Sequence, residues 1–150
     1  MSQTLVSLLV HVVFSTKNRA DLITPDIETD LFAYISGILN HHESRCLSVG
    51  GTANHVHLLV SLSKNFALSH VVGELKKSSS KWVKTKGRRF KSFGWQDGYG
   101  AFSIGESNVG ALKRYIVRQK EHHRGRTFES EMLSLLKKYG VKYDEEYLWR

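Results

Sequence analysis

The sequence predicts an α+β fold, an antiparallel sheet with helices on one face and further helices at the C-terminal end. Three observations predict it. A length of 150 residues is enough to bury one substantial core, so residues 1–150 are expected to form a single domain. Apolar residues make up 41% and charged residues 24%, with one proline and no low-complexity tract, which is the composition of a folded globular chain and not of a disordered one. Segments with strand character then alternate with segments of helical spacing, in the order βαββαβ followed by two helices.

Leu5 to Ser15 is rich in Val and Leu and ends in a polar loop, as expected of a central strand covered on both faces. Thr24-Pro25-Asp26 opens a helix, with Thr24 as N-cap and Pro25 at the first helical position; Ile27, Leu31, Ile35 and Ile38 form its apolar stripe down to about His42. Arg45–Val49 and His55–Leu62 read as two strands of a hairpin, with Gly50-Gly51-Thr52-Ala53-Asn54 as the turn. Leu68, Val71, Val72, Leu75 and Trp82 mark a second helix. Phe93–Ile104 reads as an irregular strand that bends at Gly98 and Gly100, and Val109, Leu112 and Ile116 mark a third helix. The last helix runs from about Phe128 to Tyr139, with Met132, Leu135 and Leu136 on one face and Gly140 as its stop. This order suggests the ferredoxin-like (RRM-like) plan.

The 22 Lys and Arg against 14 Asp and Glu leave a formal net charge of +8, which favours a polyanionic partner such as nucleic acid. The single cysteine, Cys46, forms no internal disulfide, so a cytoplasmic location is expected. The apolar N-terminal stretch is far shorter than a membrane span, and no membrane partner is expected.

His55-Val56-His57 places two imidazoles two residues apart on a strand, where both leave the same face and can grip one metal. Tyr115 and Gln119 are four residues apart on the third helix and share a face. Two imidazoles and a carboxamide oxygen suit a divalent cation with open positions for phosphate oxygens, and a tyrosine beside them is placed to attack phosphorus. His41-His42 and His122-His123 are adjacent pairs whose side chains diverge on a helix, so they read as surface residues, and His11 reads as a packed sheet residue. Lys76, Lys77, Lys81, Lys84, Lys86, Arg88, Arg89 and Lys91 form a run without an intervening acid, suited to a nucleic-acid backbone; Lys17 and Arg19 add a smaller cluster.

Taken with Ser15-Thr16-Lys17-Asn18-Arg19, the Phe93–Ser103 segment and the ending Tyr143-Asp144-Glu145-Glu146-Tyr147-Leu148-Trp149, the chain resembles the IS200-like family, the small single-tyrosine HUH transposases of bacterial and archaeal insertion sequences. The resemblance covers nearly the whole chain, and no site position departs from the family pattern. It implies His55, His57 and Gln119 as metal ligands, Tyr115 as nucleophile, and Mg²⁺ or Mn²⁺ as cofactor. It also implies single-stranded DNA with hairpin ends as substrate, a 5′-phosphotyrosine intermediate, and a homodimer whose active sites are shared between subunits. Lys17, Arg19, Lys76, Lys77 and Lys81 are the expected DNA contacts.

Two other classes compete. A non-catalytic RNA- or DNA-binding module of the same fold would present aromatic stacking residues on its central strands, and His55–Leu62 offers none. A metal-dependent DNA hydrolase would use the same histidines to activate water, with carboxylates that are sparse in sequence near the proposed ligands.

Overall fold

The computed structural model describes residues 2–150. Its elements are β1 (Leu9–Ser15), α1 (Pro25–His41), β2 (Arg45–Thr52), β3 (His55–Ser61), α2 (Leu68–Lys84), β4 (Gly100–Ser103), α3 (Val109–Val117), α4 (Gln119–His122) and α5 (Phe128–Lys138). The four strands form one antiparallel sheet in the order β2-β3-β1-β4, consistent with the ferredoxin-like plan.

Strand alternation divides the sheet into two unlike faces. Val12 and Phe14 of β1 and Val56, Leu58 and Val60 of β3 pack against Ile27, Leu31, Ile35 and Leu39 of α1 and Val71, Val72 and Leu75 of α2, forming the larger core. The other face carries His11, Val13 and Ser15, which stand in register with Leu59, His57 and His55. A smaller cluster of Val13, Phe102, Phe128, Met132 and Leu136 lies on that face, under α5. One face is thus a plain hydrophobic core, and the other holds a polar layer closed in by the C-terminal helices.

Three expectations change. The hairpin turn is only Ala53-Asn54, and β2 runs on through Gly50 and Gly51 to Thr52, which pairs with His55. Those glycines serve close approach, not turning: a Cβ on Gly50 would sit 2.3 Å from the Ile116 carbonyl oxygen, and one on Gly51 2.2 Å from that of His55. The aromatic segment supplies only four strand residues, because Trp95 makes an isolated bridge to Thr16 and Gly98 turns the chain with φ +83°. The first strand begins at Leu9; Leu5 is 83% exposed. Among the described residues, no helix is long and apolar enough to cross a membrane.

Candidate metal centre and nucleophile

β3 is central in the sheet, and its alternation sends His55 and His57 into the polar layer, where both are fully buried. α3 lies across β2, and the missing side chain at Gly50 lets its backbone approach at Ile116, so the neighbouring Tyr115 reaches the His57 ring at a centroid distance of 5.8 Å. Gln119 arrives by a different route from the one expected. The helix breaks at Arg118 (φ −101°, ψ 19°), yet Gln119, at the start of α4, is buried and turned toward the same layer. α5 starts with Thr127 as N-cap, its side chain accepting from the Ser130 backbone N–H. It lays Phe128, Met132 and Leu136 on the sheet and carries Glu131 inward with them.

These side chains converge. The Nε2 of His57 lies 2.8 Å from Glu131 Oε1, and the Nε2 of His55 lies 3.5 Å from that oxygen and 3.0 Å from Gln119 Oε1. The Tyr115 hydroxyl donates to Glu131 Oε2. On the far sides of the rings, His55 Nδ1 meets Thr52 Oγ1 at 2.9 Å and Asn54 Oδ1 at 2.8 Å, while His57 Nδ1 meets His11 Nε2 at 2.8 Å. His123 closes the cluster, its Nε2 at 3.1 Å from Glu131 Oε1, and His122 stacks on the Tyr115 ring. A cleft of about 670 Å³, lined among others by His11, Tyr115, Arg126, Glu131 and Lys138, opens beside this layer.

Burial lowers the pKa of His57 despite the opposing pull of Glu131, and takes His11 down to about 3, with the neighbouring His57 adding to the effect. Burial alone would raise Glu131. Hydrogen bonds from His55, His57 and Tyr115 outweigh it and hold the carboxyl far below the usual range. Tyr115 is pushed well above an ordinary phenol, first by burial and then by the hydrogen bond to Glu131 and its charge. The layer therefore holds one carboxylate anion beside the neutral imidazoles of His11 and His57.

His55, His57 and Glu131 can bring one donor atom each within 4.8 Å of one another, and all three are buried. Two imidazole nitrogens, a carboxylate oxygen and the adjacent Gln119 carboxamide oxygen make a mixed donor set that fits a divalent cation. An anion buried among such donors has a net charge that a cation would balance.

All four expected site residues, His55, His57, Tyr115 and Gln119, come together. Glu131 and His123 were not foreseen. Glu131 looked ordinary because, with Glu129, it places acid in the first turn of a helix, where the backbone dipole favours it on any surface. Its one signal is the place next to Met132, on the side of α5 that faces the sheet. His123, read as a surface residue, turns inward because of the break at Arg118, which changes the phase of the helical pattern.

The expected DNA contacts separate. Lys17 and Lys77 line an open cleft of about 410 Å³ with Lys84 and Lys91, beside Trp95 and Asp97. Lys76 borders it, but its Nζ is engaged by the carbonyl oxygens of Gln96 at 2.6 Å and Gly98 at 2.7 Å. Arg19 pairs with Glu129 at 2.9 Å and lies over the Trp149 ring. Lys81 is exposed on α2 and does not line the cleft.

The family model described as "Transposase IS200 like" matches residues 4–119. No curated protein matches the chain. Among solved structures, a candidate transposase from Deinococcus radiodurans R1 aligns at 18% identity over 77% of this chain and 95% of its own, with a TM-score of 0.62. A REP-associated tyrosine transposase, solved bound to a REP hairpin, aligns at 15% identity over 83% of this chain and 75% of its own, also with a TM-score of 0.62. At these identities the likeness is one of fold. Glu131 and His123 lie beyond the segment that the family model matches.

Proposed function

The chain belongs to the IS200-like transposase family, and from that premise we propose that it nicks single-stranded DNA with Tyr115 and transfers the strand. The observation that carries this reading is the meeting of the Tyr115 phenol with His55, His57, Gln119 and Glu131 in one buried layer beside an open cleft. Its groups come from β3, α3, α4 and α5, which supports reading residues 1–150 as one domain.

His55, His57 and Glu131, with Gln119 beside His55, are the residues that would hold a divalent cation, Mg²⁺ or Mn²⁺. When bound, such a cation supplies polarisation of the scissile phosphate and counter-charge for the phenolate. Tyr115 Oη forms a bond to phosphorus as the bond from phosphorus to the 3′ oxygen breaks. The phenol loses its proton and the departing oxygen gains one, leaving a 5′-phosphotyrosine and a free 3′ hydroxyl. Attack by another 3′ hydroxyl reverses these bonds and releases Tyr115, so the phosphodiester is conserved through transfer. Arg126 and Lys138 line the cleft beside Tyr115 and offer charge to the incoming phosphates.

The hairpin-bound relative supports DNA with hairpin ends as the substrate. The lysine cleft of Lys17, Lys77, Lys84 and Lys91 supplies a backbone-tracking surface, with Lys81 extending it along α2. Since tyrosine and histidines meet within one chain, a homodimer carries two such sites, and exchange of the tyrosine helix between subunits is an elaboration of this arrangement rather than a requirement.

Incubation with hairpin-bearing single-stranded DNA and Mn²⁺ tests the reading: a covalent adduct that survives denaturation is expected from the wild type and none from Tyr115→Phe. An equal adduct from Tyr115→Phe moves the nucleophile elsewhere. Hydrolysis by activated water is the second reading, and the presence of Glu131 favours it more than the sequence did. Cleavage that persists in Tyr115→Phe without any adduct would establish it.

A further inference from the structure

Every metal-binding imidazole has a second nitrogen, and what that nitrogen meets decides the tautomer and the ring orientation. If the Nε2 of His57 gives its lone pair to a cation, the proton of the neutral ring sits on Nδ1 and needs an acceptor. His57 is fully buried, so bulk water does not provide one. The atom at Nδ1 is the Nε2 of His11, 2.8 Å away.

We propose that His11 is a positioning residue for the metal ligand His57: without metal the Nε2 of His57 is hydrogen-bonded to Glu131, and in the loaded site the Nε2 of His11 accepts the Nδ1–H of His57, holding the tautomer and ring direction that present His57 Nε2 to a divalent cation. This inference rests on the metal-site reading given above.

The surroundings of His11 single out this contact. The two rings are stacked at 5.0 Å between centroids and 26° between planes. In register His11 faces Leu59 on β3 and Phe102 on β4, and the Phe102 ring lies 6.1 Å from it. These neighbours offer no side-chain hydrogen bond, so a residue serving only to fill this place would be better as Leu or Phe. His55 is anchored in the same manner by Thr52 Oγ1 and Asn54 Oδ1, so both ligand rings are held from behind with their Nε2 atoms forward. An imidazole differs from an anchoring carboxylate in bringing no negative charge. The layer then keeps Glu131 as its one anion, and His57 is oriented without a second acid being buried.

Three proteins test this by calorimetric titration with Mn²⁺ alone: the wild type, His11→Leu and His11→Gln, each checked for folding by circular dichroism. His11→Leu keeps the packing and removes the acceptor, and its affinity is expected to fall by roughly 10–100-fold, the range for losing a hydrogen bond behind a metal ligand. His11→Gln restores an acceptor oxygen and is expected to recover most of that loss. Nitrogen-15 spectra at a Mg²⁺ concentration that just saturates the wild type give a second readout. His57 is expected as the Nδ1–H tautomer in the wild type and in His11→Gln, and as a mixture of loaded and metal-free rings in His11→Leu.

Unchanged Mn²⁺ affinity in His11→Leu, or an equal loss in both variants, overturns the proposal. A wild type that binds no Mn²⁺ overturns the metal-site reading itself, whereas a wild type that binds and a leucine variant that binds equally well overturn only the role of His11.

Discussion

Tyr115 and Glu131 are joined across the gap between α3 and α5: the phenol donates to one oxygen of the carboxylate while the other lies 2.8 Å from His57 Nε2. The nucleophile and the metal-binding layer therefore share a single side chain. Anything that rearranges Glu131 is felt by both, which links loading of the site to release of the phenol.

Glu131→Gln separates the two effects. Loss of the anion is expected to weaken Mn²⁺ binding at least tenfold, measured by calorimetry, since the carboxylate is the one charged donor among His55, His57 and Gln119. In the metal-free protein, burial and then Glu131 raise the Tyr115 pKa, so the variant's phenol is expected to ionise at lower pH in an ultraviolet titration. Gln119→Ala should shift the phenol the opposite way, since the hydrogen bond from Gln119 lowers the Tyr115 pKa. If Gln119→Ala abolishes Mn²⁺ binding while Glu131→Gln leaves it intact, the carboxylate is not a ligand.

Gly50 is where a backbone feature controls a catalytic one. An alanine there would put its Cβ 2.3 Å from the Ile116 carbonyl oxygen, and since that atom is backbone, α3 must lift from β2. Overpacking of this kind costs about 1–3 kcal/mol, read as a fall of several degrees in Tm. Because Tyr115 neighbours Ile116, Gly50→Ala is also expected to lose the DNA adduct while Mn²⁺ affinity, held largely by β3 and α5, declines much less. Equal loss of both would mean that the whole layer collapses, not that α3 is displaced.

The contrast between Gly50 and His55 shows what periodicity can and cannot disclose. Strand alternation is local, so the shared face of His55 and His57 and the element order βαββαβ were legible in the sequence, whereas the strand order β2-β3-β1-β4 was not, because periodicity does not fix which strands pair. Gly50 and Gly51 were read as a turn because a missing side chain looks the same whether it permits a bend or a close approach, and only tertiary packing tells which. Gln119 reached the site although the helix assumed to carry it breaks at Arg118. That same break hid His123, and Glu131 stayed hidden because an acid near a helix start has a sufficient local explanation.

Cys46 is expected to be chemically quiet in the folded protein. Burial pushes its thiol up to about 11, against a weaker opposing effect of hydrogen bonding with the Ser48 backbone. This leaves roughly a hundredfold less thiolate at pH 8 than in an unfolded chain, and thiolate is the reacting species. Native protein should react with an aromatic disulfide reagent far more slowly than protein in denaturant. Comparable rates would place the thiol in solvent.

The basic run splits into two roles that salt dependence can distinguish. Lys77, Lys84 and Lys91 line the open cleft with Lys17, and each neutralised phosphate releases counterions, so log affinity for single-stranded DNA should fall with log salt by about 0.7 per contact. Charge reversal at Lys77, Lys84 and Lys91 together is therefore expected to lower that slope by about two, with little change in Tm. Lys76 behaves differently because its ammonium group is engaged by the carbonyl oxygens of Gln96 and Gly98, and burial lowers its pKa. Lys76→Met should release that loop, lower Tm and leave the slope nearly unchanged. An unchanged slope in the triple variant would make the run a solvated face, and a reduced slope in Lys76→Met would show that its ammonium leaves the loop carbonyls to meet phosphate.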